Sequence, residues 1–421
     1  MGLWISCTVV PLFICFLISA GTALKSAASV RNRDAAFITE SKPVWPVVRP
    51  AYRIDLRSVV KEPFAFMPIG PGTQEPRSGI PIRSLGFLDD ERLVVTVVTR
   101  GRGKPGLPRR GAPSAESPYR LDAILIRAST GKIIGAPDWP SNSRYAGIAA
   151  LNDRGLVIQT GNELQLISVD LQRLIKRMPL SPLPTDKYAH DSFWTPHSSW
   201  SGRRLLMLGW HTASSTWLWV DTENLKVLEP WQGVVTGSVA VSDDRLVMEK
   251  SSPHFGDPPP VLEDAFPGGE WKALDSIMNP SGAQFVGPGL LLFHRFGTLD
   301  LPEGSGTYLM HIERAEPLRL ESPRKGWGLG QAAVSRAGKR FVILALQVKG
   351  SHPAFDIGGH TVLKGLLVYD PPFALPSCTL EVAGSRVKNP DLVALSPDGC
   401  HLAVFSYPEP LLEVFNLPPC K

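Results

Sequence analysis

At 421 residues, with 43% hydrophobic and 20% charged side chains, the chain has room for one large repeat domain or two to three ordinary ones. A net charge of +5 over that length is mild and gives no footprint for nucleic acid. The 40 prolines and 38 glycines fall as punctuation between apolar runs, which favours many short strands over long helices.

The first predicted element is an export signal. Leu3 to Ala23 is almost wholly apolar, and Gly21-Thr22-Ala23 offers small residues for cleavage near Ala23. The alternative is an uncleaved anchor, because an apolar run of this length can also span a bilayer and Lys25, Arg31 and Arg33 lie after it. With cleavage, residues 24–44 form a flexible linker, residues 45–421 a folded domain, and no stable membrane span is left. The predicted location is secreted or periplasmic.

From there seven units follow, each an apolar run, a small polar turn and a second apolar run: residues 87–95, 150–158, 195–207, 241–248, 285–292, 334–344 and 395–405. The turn positions Asp89, Asn152, Pro196, Ser242, Gly287, Ser335 and Ser396 are spaced by 63, 44, 46, 45, 48 and 61 residues. Blades of four short strands repeat every ~40–50 residues. The two long steps hold insertions at 100–120 and 347–363. A third strand often closes on an acid or amide, at Asp170, Asp221, Asp370 and Asn416. Asp170 to Arg177 is the nearest approach to an amphipathic helix, and it is short.

From about Ala51 to Leu417 these units resemble the seven-bladed β-propellers of the WD-repeat-like and YVTN (quinoprotein amine dehydrogenase-like) class. Ser396-Pro397-Asp398-Gly399 is the best match to the turn of that class, whereas the Gly-His and Trp-Asp dipeptides of true WD repeats are missing. The resemblance implies an all-β propeller. After Leu395 only three strands fit, so an N-terminal strand, Tyr52 to Val59, is expected to complete the last blade and remove an open edge.

Alternating strand direction puts the polar turns on one end of the ring, the bottom. The insertions 100–120, 209–216, 250–270, 294–307 and 347–363 fall on the other, the top. Long loops on a rigid scaffold commonly carry function. The candidate ligand-binding residues are therefore Arg100, Arg102, Arg109 and Arg110 of the basic loop, Trp210 with His211, and His254, His294, His352 and His360. Guanidinium clusters match carboxylates and phosphates, histidines can serve as bases, and Trp210 can stack on a ring. His197 and His401 map to the bottom. Trp217 and Trp219 share one strand face and suit packing between blades.

Past the signal, three cysteines remain, all assigned to the bottom. A Cys400–Cys420 bridge is expected, and a bridge from Cys378 to either partner competes with it. No metal-ligand spacing, nucleophile elbow, phosphate loop or Rossmann glycine pattern occurs, so no metal or cofactor is expected. The function that follows is an exported, non-catalytic propeller taking a protein or polymeric ligand on its top face, without nucleic acid. The alternative is a propeller enzyme of the lactonase or amine-dehydrogenase-like type with a top-face metal or cofactor.

Overall fold

The second strand of each repeat reads as an unbroken apolar run because both of its faces are buried. In Arg92–Arg100, Leu93, Val95 and Val97 pack against Phe405, Leu412 and Val414 of the last repeat. Val94 and Val98, of opposite parity, pack against Leu156 and Ile158 of the next repeat. The same alternation splits Leu205 and Met207 from Leu206 and Leu208 in Arg204–Trp210. Side chains alternate across a strand with period two, so each sheet faces one neighbour with each parity. A fully buried Val or Leu contributes roughly 2 kcal/mol, and the seams between sheets collect most of them.

The computed structural model describes residues 44–419 apart from 61–81, 101–118, 142–146, 152, 161, 182–192, 211–214, 234–238, 251–260, 266–269, 279, 296–305, 315, 337, 350–359, 374 and 407–409. The chain divides into two units, Met1–Val44 and Trp45–Lys421. In the second, the strands form seven sheets, with a hydrophobic cluster at every seam. The inner strands of blades 1 to 7 are Ile82–Phe87, Ile148–Leu151, Phe193–Ser198, Val239–Val241, Pro280–Gly287, Trp327–Val334 and Pro390–Leu395. Each touches the next in order, and the last touches the first. This is a closed seven-bladed β-propeller.

Closure uses the N-terminal segment twice. Val47–Val48 pairs in parallel with Glu381 and Val382, adding a fifth strand to blade 6. The chain then crosses to blade 7, where Pro50–Asp55 pairs antiparallel with Leu411–Asn416, Arg53 opposite Glu413. Glu413 is fully buried. Its carboxylate accepts from Arg53 Nε at 2.7 Å, Ser385 Oγ at 2.6 Å and the Arg386 backbone N–H at 2.8 Å. Arg53 also donates to the Gly384 carbonyl. Beside blade 6, the Arg324 guanidinium lies over Trp45 at 4.4 Å and Trp327 at 5.2 Å, and pairs with Glu381 at 3.0 Å.

Two details differ from the sequence expectation: the bounds of the closing strand and the third strand of blade 4. The closing strand begins at Pro50 and ends at Asp55, and Leu56–Ser58 turns as a 3-10 helix under the Asp55 cap. No helix forms at Asp170 to Arg177, because Leu174–Pro179 pairs as the outer strand of blade 2. The third strand of blade 4, Val261–Ala265, lies inside the 250–270 insertion. Its Leu262 and Ala265 are buried while Glu263 and Asp264 are not, so two charges disguise a strand. No helix among the described residues is long and apolar enough to cross a membrane.

Candidate ligand-binding faces

At the bottom, three turns share one pattern: Ser199, Ser335 and Ser396 each precede a glycine by three residues and a basic residue by five. The serines are buried. Each Oγ accepts the backbone N–H of the basic residue, from Arg204 at 3.1 Å, Arg340 at 3.0 Å and His401 at 2.8 Å. Gly202, Gly338 and Gly399 have φ of 71°, 59° and 78°, the left-handed turn that favours glycine. The same basic side chains reach the residues that close the third strands. Arg204 pairs with Asp221 at 2.6 Å, Arg340 with Asp370 at 2.6 Å, and His401 Nδ1 lies 3.0 Å from Asn416 Oδ1. In these three repeats the acid or amide ending the third strand is therefore one half of a bottom-end latch, whereas Asp170 accepts from Ser168 and the Gln172 N–H within its own turn.

The turns also bind one another. Ser201 Oγ donates to Asp243 at 2.5 Å, the Asp398 backbone N–H donates to Asp90 at 2.7 Å, and Arg340 Nη1 donates to the Gly399 carbonyl at 3.0 Å. Arg336 of blade 6 forms an ion pair with Asp153 of blade 2.

The top end is built differently. The second strand ends at Arg100 in blade 1, Lys250 in blade 4, Arg295 in blade 5 and Lys349 in blade 6. The third strands resume at Tyr119, Val261, Gly306 and His360. In blade 2, Thr160 and Glu163 pair directly across a tight hairpin.

Of the candidate residues, Arg102, Arg109, Arg110, His211, His254 and His352 lie outside the described residues. Arg100 and Trp210 are the last residues of their strands, opposite Tyr119 and Ser215. Trp210 is thus a strand residue rather than a loop residue. His294 is half-buried, with Nδ1 3.0 Å from Thr307 Oγ1, and loss of solvation lowers its pKa. His360 opens its strand opposite Lys349. These four sit at the top ends of blades 1, 3, 5 and 6, and neither His294 nor His360 lines the axial cavity. Among the described residues, no group of three or more His, Cys, Asp or Glu could hold a metal ion.

The axial cavity, about 330 Å³, is lined by the inner strands of all seven blades. Its titratable side chain is His197, which belongs to the wall rather than to the bottom turn. Loss of solvation lowers its pKa, so the imidazole is neutral near pH 7. The unfolded chain then binds more protons below about pH 6.5, and stability falls as pH drops through that value. His294 adds in the same direction. Melting temperature should decline from pH 7 to 5, and His197→Asn should flatten that slope. An unchanged slope would mean that His197 is solvated.

Cys400 is a free, exposed thiol, so the expected Cys400–Cys420 bridge is not formed. Its N–H caps the Asp398 carboxylate at 2.9 Å and its sulfur lies 4.0 Å from the Asp398 carbonyl, within its own turn. Cys420 lies outside the described residues. Chain order puts these cysteines at one end but does not orient their Cβ vectors, which decide pairing.

No protein-family model and no curated protein matches this sequence. Solved structures match its architecture. The propeller domain of the Trilobed protease from Pyrococcus furiosus aligns with a TM-score of 0.50 at 10% identity, over 80% of this chain and 95% of that one. The Pyrococcus horikoshii acylaminoacyl peptidase aligns with a TM-score of 0.52 at 10% identity, over 80% of this chain and 51% of that one, so this chain spans about half of the peptidase. The C-terminal WD40 domain of Sif2 aligns at 0.44 and 12% identity, over 89% of this chain and 100% of that one. The class these alignments support is that of seven-bladed β-propellers. The protease domain is described as having an open velcro topology, whereas here Pro50–Asp55 completes blade 7.

Proposed function

We propose that this chain is an exported, non-catalytic propeller that binds a protein or polymeric ligand across its top end. One observation carries the reading. The connections between second and third strands are long at the top of blades 1, 4, 5 and 6, while the bottom is tied by short, hydrogen-bonded turns. A rigid ring with long connections at one end is a common division of labour in a binding scaffold. The Arg100, Arg102, Arg109 and Arg110 stretch favours an anionic surface on the ligand.

The test is the melting temperature of the purified protein against heparin, neutral oligosaccharides, divalent metals and EDTA. Saturable stabilisation by heparin or a sugar is expected, about 2.7 kcal/mol at a hundredfold excess over Kd. It should disappear when residues 101–118 are replaced by an Asn-Gly turn. A metal response with turnover of a lactone, glycan or amine would overturn the reading in favour of the enzyme.

The disulfide that fits such a protein joins Cys378 to Cys420. Cys378 packs on the cluster containing Leu417, three residues before Cys420. A non-reducing digest should yield these two peptides linked and the Cys400 peptide alkylated; a linked Cys400 would reject the pairing.

A further inference from the structure

The bottom end holds a second cavity, about 320 Å³, lined by Trp200, Ser201, Arg203, Asp243, Arg336 and Pro397. It is assembled from turns of four blades, and Trp200 also lines the axial cavity, so it stands at the mouth of the channel. Its charges are unusual for a surface this extensively latched. Arg336 is spent on Asp153. Arg203 is exposed, and among the described residues its guanidinium has no carboxylate partner. Asp243 is held by the Ser201 hydroxyl at 2.5 Å, and among the described residues it has no cationic partner. The same wall thus presents an uncompensated guanidinium and an uncompensated, pre-oriented carboxylate, without pairing them to each other.

The geometry points to a binding site for a small zwitterion of the α-amino acid or short-peptide class. Arg203 would take the carboxylate as a planar donor. Asp243, fixed by Ser201, would take the ammonium. Trp200 and Pro397 would supply apolar contact for the side chain. Ligand pockets commonly pair an apolar lining with a few convergent polar groups, and this cavity is at the low end of their size range. A simple anion leaves Asp243 opposed to it, and a simple cation leaves Arg203 so. Only a ligand carrying both charges compensates both. This site lies on the end of the ring opposite the proposed macromolecular face and does not depend on it.

The test is calorimetric titration of the full protein with L-leucine, L-phenylalanine and Leu-Leu, beside N-acetyl-leucine and leucinamide. Saturable binding of at least one zwitterion is expected, with both blocked forms at least tenfold weaker, as loss of a charge-assisted hydrogen bond implies. Arg203→Gln and Asp243→Asn should each weaken binding by a similar factor. Arg203 is exposed, and Asp243→Asn keeps an oxygen to accept from Ser201, so the unliganded melting temperature should hold. Equal binding of the blocked forms, unchanged affinity in either variant, or no saturable heat at millimolar concentration would each overturn the assignment. N-acetyl-leucine matching leucine would make it an anion site, and leucinamide matching leucine a cation site.

Discussion

Replacing Arg53 with methionine should destabilise the ring by about 3 kcal/mol, measured by denaturant unfolding at pH 7. Breaking a buried ion pair on one side costs roughly 3–5 kcal/mol, because the remaining charge keeps its desolvation penalty without its partner. Glu413 is the remaining charge here, and its side chain is 0% exposed against 35% for Arg53. Two of its acceptor contacts survive, from Ser385 and the Arg386 N–H, which puts the loss at the low end. Glu413→Gln keeps the shape and loses only the charge, so it should cost less than Arg53→Met. A loss below about 1 kcal/mol in Arg53→Met would mean that water already reaches this carboxylate. The pair joins the N-terminal closing strand, Pro50–Asp55, to Leu411–Asn416, so the destabilisation should reach the whole ring rather than one blade.

Gly155→Ala should do more damage still. Gly155 follows the first turn of blade 2 with φ of 117°, and a Cβ there would lie 1.9 Å from the Ile167 carbonyl oxygen. That oxygen belongs to backbone in the middle of the same sheet, next to the paired Leu156, and cannot swing aside. Strained backbone costs about 1–3 kcal/mol on its own, and the overlap adds enough to exceed about 4 kcal/mol, a range reserved for disrupted cores. The expected result is insoluble or misfolded protein. Gly326→Ala separates the two causes. Its φ is 82°, but nothing lies within 4 Å of its Cβ position. Only conformational cost remains there, about 1 kcal/mol. Equal effects at the two positions would show that the contact with Ile167 is relieved.

The sequence and the structure agree best where one strand carries its own signal. Second strands such as Leu93 to Val98 are buried on both faces, so they appear as plain apolar runs. Turns such as 396–401 appear because left-handed glycine and a buried serine leave a fixed spacing. Elements that depend on a distant partner are harder to read. Val47–Val48 is two residues long and becomes a strand only because blade 6 offers an edge. Val261–Ala265 is broken by Glu263 and Asp264, the latter paired to Arg245 at 3.6 Å across the sheet. For the candidate sites, strand order placed His294 and His360 at the top ends of their strands, but it does not report which ends converge. The cavity of Trp200, Arg203, Asp243 and Arg336 was missed for that reason. Its residues, Pro397 included, come from turns up to 197 positions apart, from Trp200 to Pro397. The one available signal was that Arg203 and Asp243 are charges left over from the latch pattern.

The crossing of the N-terminal segment from blade 6 to blade 7 also fixes a clock. The residues that close the ring are made well before their partners: Arg53 waits 360 positions for Glu413. Contacts of such separation form late, and until then the intermediate carries two unpaired strand edges. Pro50 at the start of the waiting strand blunts one of them, since it offers no N–H to a stray partner. The other edge, Leu411–Asn416, finds that strand already made when it emerges. A nascent chain of this protein is therefore most open to mispairing just before its final strand is released, and a chain stalled short of residue 411 has no closed form to reach.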